Sequence, residues 1–122
     1  MVYSVRSVSG ALYPRTYVLI YNDIGAGTRL TVHCKSKDDN LGTHVLAYRQ
    51  HYDFSFHRHI FRETLFFCGM QWNGTVYRFD IYDQDRDDFC CKKHCEWNVH
   101  RGGACMFNRE TSKFDLCHGW NT

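Results

Sequence analysis

The residues best placed to do chemistry in this chain are seven cysteines, at 34, 68, 90, 91, 95, 105 and 117, and eight histidines. Two arrangements compete for the cysteines. In an oxidising compartment they form disulfides and, the count being odd, leave a thiol over; in a reducing one they would mark a metal site. A structural zinc needs four ligands at compact spacing. Cys91 and Cys95 with His94, His100 or Cys105 can be drawn into such a set, but no paired Cys-x2-Cys knuckles exist. Disulfides are the better reading, because Cys34, Cys68 and Cys95 sit inside strand-like segments, where bridging across a sandwich is expected. Each bridge contributes about 3 kcal/mol by restricting the unfolded chain. Neighbouring cysteines rarely bond each other, so Cys90 or Cys91 is the leftover thiol, or a handle for an intermolecular bridge.

Other chemistries have weaker support. Nucleophilic catalysis needs a recognisable local setting, and there is no Gly-x-Ser-x-Gly, His-Glu-x-x-His or glycine-rich phosphate loop. His33 and His51 fall on expected solvent faces, and His57 and His59 flank Arg58, which together read as an exposed, partly basic surface. The carboxylates gather in turns, at Asp38-Asp39 and along Asp83-Gln84-Asp85-Arg86-Asp87-Asp88. Solvated turn formers explain them better than a calcium site, since the longer run carries a cation of its own. No catalytic residue, metal ligand or cofactor is assigned. Asn73-Gly74-Thr75 is an N-glycosylation sequon and, with the cysteines, points to secretion.

The elements that must position these residues have a period of two. Leu30, Val32 and Cys34 alternate with Arg29, Thr31 and His33, and Tyr52, Phe54 and Phe56 with His51, Asp53 and Ser55. Tyr77, Phe79 and Ile81 repeat the pattern, as do Cys95, Trp97 and Val99. Continuous runs at 17–21 and 64–68 suit central strands buried on both faces. Gly25-Ala26-Gly27, residues 38–42, Asn73-Gly74 and Gly102-Gly103 supply turns. The expected fold is all-β: a single-domain antiparallel β-sandwich with disulfides, spanning 1–122. Its expected core is Tyr17, Leu19, Val32, Phe54, Phe56, Leu65, Phe67, Phe79, Ile81 and Trp97.

Composition bounds the function. Fifteen Lys and Arg against thirteen Asp and Glu leave a charge of +2, too little for an ordinary polyanion binder, so no nucleic-acid partner is expected. At 16% aromatic the chain is not a disordered one. No run approaches the ~20 apolar residues of a membrane span, so direct membrane insertion is not expected. Residues 1–15 lack the apolar block of a signal peptide; for a secreted protein the expectation is that the signal has been removed.

Several runs, in this order, resemble the plant self-incompatibility family, the S-protein homologues. The first is the ten-residue stretch His33-Cys34-Lys35-Ser36-Lys37-Asp38-Asp39-Asn40-Leu41-Gly42. Tyr52-Asp53-Phe54-Ser55-Phe56 follows, then Glu63-Thr64-Leu65-Phe66-Phe67-Cys68 and Trp72. Phe79-Asp80-Ile81-Tyr82 comes next with Arg86-Asp87, then Cys91-x3-Cys95-x-Trp97, Gly103-x-Cys105 and Trp120. The resemblance covers about 17–120. It implies a small secreted β-sandwich that acts as a ligand and not an enzyme. In the poppy-type system such a stigma protein is recognised by a pollen plasma-membrane receptor protein, and the cognate match triggers calcium signalling and rejection of self pollen. The alternative is a secreted paralogue, either a carbohydrate- or calcium-binding module or a developmental or defence ligand. Ribonuclease activity is disfavoured: His118-Gly119-Trp120 superficially resembles one catalytic segment, without a second.

By the same resemblance the family's four recurrent cysteines match Cys34, Cys68, Cys95 and Cys105, with Cys91 a frequent companion. Cys90 and Cys117 are extra. Cys90 is then the free-thiol candidate, and Cys34, Cys68, Cys91, Cys95, Cys105 and Cys117 are the disulfide candidates. For the partner-binding loop the expectation is Asp83, Gln84, Asp85, Arg86, Asp87, Asp88 and Phe89, a segment that reads as too polar to be buried and that ends on an aromatic anchor. The turn from Lys35 to Asn40, shared with the family, reads as structural or as a common docking feature.

Overall fold

The computed structural model describes residues 15–57, 64–91 and 93–121. Arg58, His59, Glu63 and Lys92 lie outside them, as does the side chain of Phe89. Among the described residues nine strands and one short helix follow in order: β1 Arg15–Asn22, β2 Leu30–Lys35, β3 Asn40–Leu46, β4 His51–His57, β5 Leu65–Trp72, β6 Thr75–Asp83, α1 Gln84–Cys90, β7 His94–His100, β8 Gly103–Asn108 and β9 Lys113–Gly119.

Local chemistry explains where these elements begin and end. β2 buries Leu30, Val32 and Cys34 and leaves Thr31 and His33 half-buried, the alternation that a sheet with one inner face requires. Asn73 (φ 52°) and Gly74 (φ 80°) form the two-residue turn between β5 and β6, and positive φ at both positions matches the twist of a tight hairpin. The turn after β2 closes on itself. Ser36 N–H donates to Asp39 O at 2.8 Å, and Asp39 N–H donates to Ser36 Oγ at 3.1 Å.

The strands form two sheets, β3-β2-β5-β6 and β4-β1-β7-β8-β9. Every ladder in the four-stranded sheet is antiparallel. The expected sandwich is found, with one amendment: in the five-stranded sheet β1 pairs antiparallel with β4 but parallel with β7. The chain leaves this sheet after β4, builds β5 and β6 in the other, and returns through α1. Such a long crossover is what a parallel pair needs.

Between the sheets lie Val18, Ile20, Val32, Cys34, Cys68, Met70, Phe79, Ile81, Trp97 and Val99, with Phe56 and Phe66 beside them. Five expected core residues (Val32, Phe56, Phe79, Ile81 and Trp97) are buried, and Phe54 packs against the cluster. The two continuous runs go the other way. Tyr17 is 42% exposed and Leu65 39%, while Leu19 and Phe67 are only half-buried. β1 turns Thr16, Val18, Ile20 and Asn22 inward, and β5 turns Phe66, Cys68, Met70 and Trp72 inward. Each of these strands therefore has one inner face, not two. A shift in register between Phe66 and Phe67 lets both Ile81 and Tyr82 of β6 be buried.

Candidate functional site

The segment expected to be a polar recognition loop is a helix with a structural side. Asp83 caps it, its Oδ1 accepting from Asp85 N–H at 3.1 Å. Gln84 ties it to the start of β5: its N–H donates to Thr64 O at 3.1 Å, and its Oε1 accepts from Thr64 N–H at 3.0 Å. At the other end Cys91 N–H donates to Asp87 O at 3.1 Å, and Cys91 is bonded to Cys95 at the start of β7.

Arg86 and Asp87 point into the molecule, which corrects the expectation that 83–88 is too polar to bury. Asp87 is fully buried. Arg86 Nε donates to Asp87 Oδ1 and Arg86 Nη2 to Asp87 Oδ2, both at 2.6 Å. Asp87 Oδ2 also accepts from Asp83 N–H at 3.0 Å, and Arg86 Nη2 donates to Asp80 O at 2.8 Å. The guanidinium lies 4.9 Å from the Trp97 ring centroid and 5.5 Å from that of Phe79. Bidentate pairing plus stacking on aromatic faces lets a half-buried arginine keep its hydrogen bonds. The same contacts take Asp87 out of any set of calcium ligands. The carboxylate oxygens of Asp87 are already filled by Arg86 and a backbone N–H. Of the proposed loop, Asp85 is exposed and Gln84 and Asp88 are half-buried.

His118, on β9, lies 5.9 Å from the Trp97 ring and 6.4 Å from that of Phe79. Burial, and then the Arg86 charge, hold its imidazole below its usual pKa, with Asp87 pulling the other way.

The cysteines pair as Cys34–Cys68, Cys91–Cys95 and Cys105–Cys117, and Cys90 is left free and exposed. No bridge joins the two sheets, contrary to the expectation of links across the sandwich. Cys34 and Cys68 are instead directly opposed on neighbouring strands β2 and β5, and Cys105 and Cys117 on β8 and β9. The cysteines of the zinc reading (Cys91, Cys95 and Cys105) are thus held as disulfides. His100 does meet one of them, its Nε2 lying 3.1 Å from Cys105 Sγ. Asn73 is exposed at its hairpin tip, as is Thr75 of the sequon.

Fold and site together define a small disulfide-bonded β-sandwich whose buried charges and most of whose cysteines hold the scaffold in shape. The chain belongs to the plant self-incompatibility protein S1 family, whose profile matches residues 17–120. S-protein homolog 2 of Arabidopsis thaliana is 41% identical over 121 residues, covering 94% of this chain and 75% of that protein. S-protein homolog 29 of the same plant is 40% identical over 109 residues, covering 89% and 80%. A solved self-incompatibility protein homologue, from a group described as small, highly stable, secreted proteins from plants, superposes with a TM-score of 0.61. It covers 90% of this chain and 97% of its own at 18% identity, a likeness of fold. No helix among the described residues is long and apolar enough to cross a membrane.

Proposed function

We propose that this protein is a secreted signalling ligand, the stigma-side determinant of self-incompatibility, which binds a pollen plasma-membrane receptor and triggers rejection of self pollen. The observation that carries the reading is the family match over 17–120. The architecture supports it. Arg86 and Asp87 are committed to each other and to the core, so the chemistry-bearing pair at the end of the sandwich holds shape and does not turn over a substrate. A rigid scaffold presenting a short exposed segment is how recognition surfaces are usually built. In this reading exposed Asp85, with half-buried Asp88 beside it on α1, rejects non-cognate receptors by like-charge contact, and Asn73 carries a glycan at the far turn of the β5–β6 hairpin.

The test is to add the purified protein to pollen of several genotypes and score tube growth. Arrest of one genotype with the others spared is expected. Equal growth of every genotype, at concentrations where the protein is folded, would sink the proposal.

A further inference from the structure

The three disulfides are not equivalent. Cys34 and Cys68 are fully buried on the inner face of their sheet, and Cys91 and Cys95, which join the end of α1 to β7, are buried too. Cys105–Cys117 lies on the outer face of the five-stranded sheet, in the same row as Asn98, and joins the edge strand β9 to β8. Its two residues differ as well: Cys105 is 7% exposed, whereas Cys117 is open to solvent.

The imidazole of His100 completes the asymmetry. Gly102 N–H donates to His100 Nδ1 at 3.3 Å, so Nδ1 is the acceptor and the ring hydrogen sits on Nε2. That Nε2–H points at Cys105 Sγ from 3.1 Å. A donor at this distance does little for a neutral disulfide sulfur but binds a thiolate strongly, because hydrogen bonds to charged acceptors are about twice as strong. Thiol–disulfide exchange runs fastest when the attacked sulfur is accessible and the departing one is a stabilised thiolate. Those two conditions are met here by different atoms of one bridge.

We infer that Cys105–Cys117 is an exchangeable disulfide, at which an external thiolate attacks the exposed Cys117 sulfur and displaces Cys105 as a thiolate held by His100 Nε2–H. The electron pair of the incoming sulfur forms the new S–S bond to Cys117. The pair of the broken bond leaves on Cys105, so charge is conserved and no outside oxidant is required. The product is a covalent adduct on edge strand β9 with the scaffold intact, since Cys34–Cys68 and Cys91–Cys95 remain closed. The site would take a thiol, either a small molecule or an exposed cysteine of a protein. It does not depend on the proposed role in pollen rejection.

The experiment uses the folded protein carrying Cys90→Ser, so that the native free thiol takes no part. Reduced glutathione is added, samples are quenched with iodoacetamide, and each cysteine is followed by peptide mass spectrometry while circular dichroism monitors the fold. Cys105–Cys117 is expected to open at least about tenfold faster than either other bridge, with native dichroism. Alkylated Cys105 and glutathione on Cys117 should appear in the same molecule. Another bridge opening as fast, the adduct residing on Cys105, or opening only with unfolding would each overturn the inference. A second arm offers a folded protein with one exposed cysteine, to tell a protein thiol from a small one. Reaction with either supports the site; reaction with neither overturns it. His100→Phe should slow opening of this bridge at least about tenfold with the melting temperature unchanged. An unchanged rate would remove the imidazole from the mechanism.

Discussion

The inner and outer sides of this sandwich use the same two kinds of link to different effect. On the inner side are Cys34–Cys68, with both cysteines fully buried, and Arg86–Asp87, with two contacts of 2.6 Å. On the outer side are Cys105–Cys117, open at one sulfur, and His51–Asp53, 3.9 Å apart with both side chains about half exposed or more. Away from water a broken link leaves an uncompensated charge or an unfilled space; beside water it is resolvated at once. The inner links therefore set stability, and the outer ones are free to take part in chemistry.

The comparison is most exposed at these two side-chain pairs. Arg86→Met leaves Asp87 buried without its cation and should cost about 3–5 kcal/mol in denaturant unfolding. Asp53→Asn should cost no more than about 0.5 kcal/mol. Similar costs for the two would break the comparison outright. At the disulfides, removing Cys34–Cys68 by paired alanines should destabilise by about 2–5 kcal/mol. The bridges close separations of 34 and 12 residues, and loop entropy alone makes the Cys105–Cys117 pair of alanines milder by about 0.9 kcal/mol. The cavity left by inner cysteines widens that gap. Equilibrium unfolding of the two double variants checks it.

Smaller effects sharpen the picture. Asp85→Lys with Asp88→Lys should lower the melting temperature by only a few degrees, chiefly by placing lysine near the positive end of α1. The same double change should abolish pollen inhibition. Inhibition that survives in the folded variant would move the recognition surface elsewhere. The mildest effect concerns His118, whose folded pKa lies below the ordinary 6.5. The unfolded chain then binds more protons near that pH, so this contribution to stability is present above about 6.5 and is lost as pH falls through and below it. Melting curves between pH 8 and 5 should show the decline, and His118→Gln should flatten it.

Much of this was legible beforehand, and what was missed has physical causes. Where polar and apolar residues alternate, as in β2, β4 and β7, the inner face could be read directly. Tyr17–Tyr21 and Leu65–Cys68 lack alternation, so nothing local says which parity faces inward. The signal that would have settled β5 is Cys68. It must share a face with its directly opposed partner Cys34, whose neighbours Leu30 and Val32 are plainly inner. That choice also turns Phe66 inward in place of Leu65 and Phe67. The inward-pointing Arg86–Asp87 pair hid inside a run of charges that reads as solvated. Its clue was that these two residues alone of the run belong to the family-like pattern. The parallel β1–β7 ladder left no local trace, because its partners are far apart in the chain.

That ladder governs the order in which the molecule can be finished as it is made. Val18 lies beside Cys95 and Ile20 beside Trp97, so β1, made early in synthesis, waits for a strand made near the end. Until residues beyond 94 appear, β1 can pair only with β4, and one of its edges stays open. Distant pairings of this kind slow folding and prolong the time during which open edges can capture other chains. A ribosome pause, or a truncation just before β7, should therefore yield a nascent chain that is sticky in proportion to the delay.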